Sequence, residues 1–232
     1  MTTLEIILTI LTALFALVFI IVRTLKTGFT ALILKTLASF AFVSSGVLGL
    51  VFSNTDFKLT IGLIIVGLLL GMIGDILLDL KVLYDNDKFY LNMGMLSFSL
   101  GHVSYFSALS IYALDYLDSL LLPILVAIGG SVLLTIGITL SSKVLKLDFG
   151  KFYFQAVGYT VILTFMMVYG LMLSILGGSW LVFIGLLVFF LSDVVLSTQY
   201  FGGKIASKPL IAINHLLYYT AQIILLVFTF VL

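Results

Sequence analysis

The sequence contains no cysteine, only two prolines and few charged residues among its 232 positions. The absence of cysteine excludes disulfides, thiol nucleophiles and thiolate metal sites. Charged residues make up 9% of the chain and give a net charge of +1 with no basic cluster, which argues against a nucleic-acid partner. Pro123 and Pro209 each lie where an apolar run begins, so the rest of every run is free of this helix-breaking residue.

Several catalytic and nucleotide-binding patterns are also missing. The chain has no Gly-x-Ser-x-Gly elbow, Walker loop, Rossmann glycine pattern or His-Glu-x-x-His. Asp75, His102, Asp193 and His215 are suitable metal ligands by type, but the helical His-x-x-x-His signature is absent. We therefore expect no bound metal and no cofactor, with a metal-dependent membrane lipid hydrolase as an alternative.

The composition that remains is that of a membrane protein. Hydrophobic residues make up 62% of the chain and its mean hydropathy is +1.34, far above the range of soluble domains. Eight apolar runs have the length of about 20 residues that a helix needs to cross the hydrocarbon core. They cover residues 4–22, 29–53, 59–80, 88–112, 121–140, 153–176, 179–201 and 208–231. We predict an all-α fold in which residues 1–232 form a single domain of eight transmembrane helices in a lipid bilayer, and the sequence leaves the oligomeric state open.

The basic residues predict how these helices are oriented. The odd-numbered loops carry nine of them, namely Arg23, Lys26, Lys81, Lys88, Lys143, Lys146, Lys151, Lys204 and Lys208. The even-numbered loops carry only Lys58. Because cytoplasmic loops are enriched in Lys and Arg, we predict that the odd-numbered loops are cytoplasmic. Both termini then face the other side of the membrane.

Short matches between the two halves of the chain suggest a 4+4 internal duplication. Residues 74–78 (GDILL) on the third run resemble residues 192–196 (SDVVL) on the seventh. Residues 101–105 (GHVSY) on the fourth run resemble residues 214–218 (NHLLY) on the eighth. If the halves are parallel repeats, the two aspartates in the first pair of segments are equivalent positions.

The third run ends in two aspartates that lipid would not tolerate. Asp75 and Asp79 share an i, i+4 row with Gly67 and Gly71, so a groove of small residues, suited to close helix packing, leads to the acids. An acid at the centre of a span costs about 2.5 to 3.5 kcal/mol on insertion scales and is by default a functional candidate. Asp79 lies close enough to the helix end to be solvated or to cap it. Asp75, and Asp193 on the seventh run, are too deep for this, so we predict that both are functional.

Polar residues on five helices are predicted at a similar depth. The cytoplasmic half receives Lys35, Asp75, Asp79, Asn92, Asp193 and His215, whereas His102 and Tyr105 lie nearer the middle or beyond. Lys35 either reaches the lipid headgroups or binds a phosphate or carboxylate. His102 and His215 either bond to neighbouring helices or contact a substrate. Such a set of residues also suits a small-solute or lipid transporter, which is a competing functional class.

At these positions the sequence resembles the YhhN-like lysoplasmalogenase family of integral membrane hydrolases. The resemblance covers nearly the whole chain, with the motifs in order on the expected helices. It is carried by Lys35, by Gly74–Asp75, by residues 89–105 with Gly94, Phe98, His102 and Tyr105, by residues 190–193 with Leu196, and by Tyr219 and Gln222. The chain departs from the family pattern at Thr36, where the family often has proline.

The resemblance implies hydrolysis of the vinyl ether bond of a lysoplasmalogen, a lysophospholipid, to a fatty aldehyde and glycerophosphoethanolamine or glycerophosphocholine. This chemistry needs one protonated carboxylic acid and one ionised carboxylate, and Asp75 and Asp193 are the expected pair, in either order. Lys35 and His215 are expected to hold the phosphate. The other expected substrate contacts are Asn92, His102, Tyr105, Tyr219 and Gln222.

Overall fold

The structure is a computed structural model that describes residues 1–26, 28–84, 87–203 and 207–232. Lys204, one of the residues used to orient the helices, lies outside these ranges. Within them the chain forms eight α-helices and no β-strand, which confirms the all-α prediction. The helices are α1 (Thr3–Leu25), α2 (Phe29–Phe52), α3 (Lys58–Leu83), α4 (Asp87–Ala113), α5 (Leu121–Val144), α6 (Tyr153–Ile175), α7 (Trp180–Phe201) and α8 (Lys208–Val231).

Seven of the helices in the described ranges are long and apolar enough to cross a membrane. The exception is α4, which is 27 residues long but carries Asn92, His102 and five serines. The chain is thus a multi-pass membrane protein. The crossing by α4 and the orientation of the loops stay predictions.

Helices α1, α3, α4 and α5 extend past the apolar runs that predicted them. Helix α1 begins at a capping box, in which Thr2 Oγ1 accepts a hydrogen bond from the Glu5 N–H at 3.3 Å and Glu5 Oε2 accepts one from the Thr2 N–H at 2.6 Å. It continues to Leu25, beyond the predicted end at residue 22, and α5 likewise continues to Val144 rather than residue 140. Apolar content marks the part of a helix that lies in hydrocarbon, whereas backbone hydrogen bonding continues into the polar residues that follow.

Contacts divide the chain into two compact units. The first is Met1–Tyr112 with Gln222–Leu232, which contains α1 to α4 and the end of α8. The second is Ala113–Ala221, which contains α5 to α7 and most of α8. Within the first unit α1 packs on α2 and α2 on α3; within the second, α5 packs on α6 and α6 on α7. The internal duplication stays a prediction.

Glycines let α3 and α4 approach each other closely in the first unit. A Cβ atom on Gly67 would overlap the ring of Tyr105, and one on Gly74 would lie 2.7 Å from Cε2 of Phe98. A Cβ atom on Gly101 would lie 3.1 Å from the carbonyl oxygen of Gly67. The predicted groove of small residues on α3 is therefore filled, at Gly67, by an aromatic ring from α4.

Two serines of α4 bond to the backbone of α3. Ser97 Oγ donates to the carbonyl oxygen of Leu70 at 2.6 Å, and Ser104 Oγ donates to that of Leu63 at 2.7 Å. A hydroxyl that would be costly in lipid is satisfied here by the neighbouring helix. These two polar groups of α4 are accordingly directed at protein rather than at hydrocarbon.

We expect Gly67→Ala to destabilise the protein by about 1 to 3 kcal/mol, because the added methyl group overpacks against the Tyr105 ring. Gly62→Ala is the matched control on the same helix, since a Cβ atom there meets nothing within 4 Å. The control should be neutral or slightly stabilising, because alanine favours helix over glycine by about 1 kcal/mol. Thermal unfolding of the two purified variants in detergent measures the difference, and equal melting temperatures would contradict the close approach.

Candidate active site

The two aspartates of α3 lie in a buried network of ion pairs in the first unit. Lys35 Nζ lies 3.2 Å from Asp75 Oδ1 and 3.4 Å from Asp79 Oδ1. Arg23 Nη2 lies 3.3 Å from the same oxygen of Asp79. Ser39 Oγ donates a hydrogen bond to Asp75 Oδ2 at 2.6 Å. The cluster thus joins two cations, two carboxylates and a hydroxyl, and we call it the α1–α3 charge network.

Helical periodicity explains how these side chains meet. Lys35 and Ser39 are four residues apart on α2, and Asp75 and Asp79 are four residues apart on α3, so each pair lies on one face of its helix. Arg23 lies in the last turn of α1, where a cation interacts favourably with the helix dipole. The formal charges of the two cations and the two carboxylates cancel, which is the condition under which such groups are tolerated in a buried site.

The structure corrects the interpretation of Asp79 as a solvated or capping acid. Asp79 is only 3% exposed and contacts two cations, so it is as buried as Asp75. Of the alternatives for Lys35, the ion pair with carboxylates is the one present, and its 4% exposure is unlike that of a lysine reaching the headgroups. Its contact with a substrate phosphate stays a prediction.

A second polar group in the first unit lies around Tyr105. Its hydroxyl donates to Gln222 Oε1 at 3.3 Å, and its ring meets that of His102 edge to face with the centroids 5.8 Å apart. All three side chains are buried. Gln222 Nε2 and the Oδ1 of the half-buried Asn92 find no hydrogen-bond partner within the described part of the chain. The Gln222 amide therefore has a donor left for a ligand or a water molecule.

In the second unit Asp193 is held by a tyrosine from α6. The hydroxyl of Tyr159 donates to Asp193 Oδ2 at 2.5 Å, and Asp193 is half-buried. The preceding Ser192 is tied to α8, because Asn214 Nδ2 donates to its carbonyl oxygen at 2.9 Å and to its Oγ at 3.0 Å. Ser192 Oγ in turn donates to the carbonyl oxygen of Asn214 at 3.1 Å. This clamp fixes the backbone next to Asp193 and next to the buried His215.

The remaining predicted site residue, Tyr219, is buried on α8 beside Tyr218, with ring centroids 5.2 Å apart in an edge-to-face arrangement. Asp75 and Asp193 belong to different units, so their joint action stays a prediction. Among the described residues no group of three or more His, Cys, Asp or Glu side chains is arranged to hold a metal ion.

Four residues that position the acids were not among the predicted site residues. Two of them could have been found from the sequence. Ser39 lies one helical turn after Lys35, and Asn214 immediately precedes His215. Tyr159 lies on another helix, 34 residues before its partner Asp193, so nothing in the sequence around it indicates the hydrogen bond. Arg23 had no local signal, since its partner Asp79 lies 56 residues further along the chain.

Comparison with known proteins identifies a family for this chain. The model of the YhhN family matches residues 25–229 of the chain. The matched part contains Lys35, Asp75, Asp79 and Asp193, and it begins after Arg23. Neither the curated proteins nor the solved structures gave a match.

Proposed function

The chain belongs to the YhhN family, and from this premise we propose that it is a membrane hydrolase that cleaves the vinyl ether bond of lysoplasmalogens. The products are a fatty aldehyde and a glycerophosphoethanolamine or glycerophosphocholine. The observation that carries the proposal is Asp75, a carboxylate buried in a membrane helix with a lysine at 3.2 Å. An acid kept at such a cost inside a span is a candidate for chemistry.

The reaction needs a proton donor and a group that handles the resulting cation. Protonation of the β-carbon of the vinyl ether leaves an oxocarbenium-like cation at the α-carbon. Water adds to this cation and loses a proton, which gives a hemiacetal. The hemiacetal collapses to the aldehyde and the free glycerol hydroxyl, so one water is consumed and the proton is returned. A pair of carboxyl groups in opposite protonation states can perform both proton transfers.

We assign the ionised role to Asp75 and the proton-donating role to Asp193. The contacts of Asp75 with the Lys35 ammonium and the Ser39 hydroxyl support the first assignment, because both favour a charged carboxylate. The proton-donating role falls to Asp193 as the other acid of the pair, and its protonated carboxyl group keeps a carbonyl oxygen that can still accept the hydrogen bond from Tyr159. In this scheme Asp75 accepts the proton of the attacking water and stabilises the cation.

The remaining predicted residues are proposed to bind the lysophospholipid. The hydrocarbon chain is proposed to lie toward the membrane centre near His102 and Tyr105, and the unused donor of the Gln222 amide is proposed to bind an oxygen of the lysophospholipid. Asn92, His215 and Tyr219 are proposed to contact the polar part of the substrate, with Lys35 close to its phosphate. With the odd-numbered loops on the cytoplasmic side, the substrate enters from the cytoplasmic leaflet.

The proposal is tested by turnover of purified protein on an alkenyl lysophosphatidylethanolamine. We expect release of free aldehyde, measured by its reaction with a hydrazine reagent. The control substrate is the saturated alkyl analogue, which has no double bond to protonate and should not be cleaved. Absence of aldehyde, or equal cleavage of the two lipids, would contradict the proposed reaction. Lipid movement across a reconstituted bilayer without turnover would instead favour the transporter.

A further inference from the structure

We propose that Asp79 and Arg23 are positioning residues that control the charge of Asp75 through the lysine that the two aspartates share. The inference rests on the proposed function, in which Asp75 must be ionised. It assigns a role to two residues for which the match to the family gives none, and one of them, Arg23, lies outside the matched residues 25–229.

The geometry makes Lys35 a shared cation. Its Nζ lies at nearly equal distances from Asp75 and Asp79, 3.2 and 3.4 Å, so the two carboxylates compete for one ammonium group. Arg23 approaches the same Oδ1 atom of Asp79 that Lys35 contacts. A stronger ion pair between Arg23 and Asp79 therefore weakens the interaction of Lys35 with Asp79 and strengthens its interaction with Asp75.

Arg23 and Asp79 do not form the fully hydrogen-bonded salt bridge expected of a purely structural pair. A two-pronged arginine–carboxylate pair uses two N–H groups and both carboxylate oxygens. Here a single oxygen of Asp79 takes both cations, and Arg23 Nε and Asp79 Oδ2 are buried without a hydrogen-bond partner among the residues described. In a buried site of low dielectric, the balance of charge around Lys35 is felt by Asp75 with little screening.

Several charged and titratable groups in the described part of the first unit act on Asp75. Lys35 faces it from α2, Asp79 from its own helix, and Tyr105 from α4 is close enough for the charge of Asp75 to act on its hydroxyl. Ser39 adds an uncharged donor. Arg23, from α1, acts through Asp79. Of these groups, Asp79 and Arg23 can be neutralised without removing a group that contacts Asp75 by an ion pair or hydrogen bond.

The two neutralisations should act in opposite directions. With Asp79→Asn, the Lys35 ammonium no longer contacts a second carboxylate on α3, so Asp75 keeps its charge down to a lower pH. With Arg23→Gln, the unpaired Asp79 draws Lys35 away, and Asp75 takes up a proton at a higher pH. We expect shifts of about one pH unit in each direction, and the double variant should return toward the wild type because it restores neutrality.

Two readouts separate this inference from the proposed function. The first is the pH dependence of kcat/KM on the alkenyl lysophospholipid, whose acid limb should follow Asp75. The second is infrared titration of protonated carboxyl groups in the absence of substrate, with the Asp75 band identified from its loss in Asp75→Asn. Arg23→Lys, which keeps the charge, should leave both midpoints in place. Glu5→Gln is the control for removing a carboxylate elsewhere in α1, since glutamine serves in a capping box as well.

Opposite shifts in the two single variants, cancelling in the double variant, are the expected result. Shifts of the same sign, or a loss of activity with unmoved midpoints, would overturn the inference and leave Asp79 and Arg23 as structural residues. If Arg23→Gln does not fold, a midpoint that fails to move to lower pH in Asp79→Asn overturns it alone. Shifted infrared midpoints in a protein that releases no aldehyde would refute the proposed function and support the inference.

Discussion

Replacing Asp75 or Asp193 with asparagine is expected to lower aldehyde release by a factor of about 100 to 10,000, the range over which a single general acid or base contributes to catalysis. Asparagine keeps the size of the side chain but neither donates a proton to carbon nor accepts one from water. Because the two acids act in one reaction, the double variant should be little slower than the worse single variant. The rates are measured on the alkenyl lysophospholipid at saturating substrate.

The matched control for these variants is Asp118→Asn, in the loop between α4 and α5, where the carboxylate is exposed. It should retain the wild-type rate. If both buried asparagine variants turn over as fast as this control, the carboxylates do not perform the chemistry. If only one variant is slow, the aspartate whose replacement leaves the rate unchanged is neither proton donor nor base. The scheme with two carboxyl groups then fails.

Replacing Lys35 with methionine is expected to destabilise the protein by about 3 to 5 kcal/mol, the cost of removing one partner from a buried ion pair. In the α1–α3 charge network, Asp79 then keeps its contact with Arg23, whereas Asp75 loses the ammonium that lies 3.2 Å from it. Aldehyde release should fall as well, because Asp75 no longer has an ammonium to keep it ionised. The loss of stability is measured as a fall in melting temperature of the purified protein in detergent.

A second substitution distinguishes charge imbalance from loss of packing. The variant Lys35→Met with Asp79→Asn removes one cation and one carboxylate, and it should recover part of the lost stability although it is altered at two buried positions. Lys58→Met serves as control, because this lysine is exposed at the start of α3. A Lys35→Met protein as stable as Lys58→Met would mean that the buried acids do not depend on the lysine.

The sequence was sufficient to locate the helices. The thickness of the hydrocarbon core fixes the length of a spanning helix, so apolar runs of about 20 residues appear directly in the sequence and their positions agree with α1 to α8 to within a few residues. The sequence also predicted that Gly67, Gly71, Asp75 and Asp79 lie on one face of α3, since this depends only on the periodicity of a single helix.

Partners across helices were harder to predict. Which face of α1 meets α3 depends on packing between helices, and no periodicity within either helix reveals that Arg23 reaches Asp79. The same lack of a local signal hid the bond from Tyr159 to Asp193. For Asp79 the position near a helix end favoured solvation, and the cations that bury it come from other helices.

The polarity of α4 has a consequence for how the protein is made. With Asn92, His102 and five serines, this helix has little tendency to leave the translocon for lipid on its own. Ser97 and Ser104 find acceptors on α3, and Gly101 lets the two backbones come together. If α4 crosses the membrane as predicted, we expect its insertion to depend on pairing with α3, and a fault in this helix pair would then appear during biosynthesis, before any substrate is present.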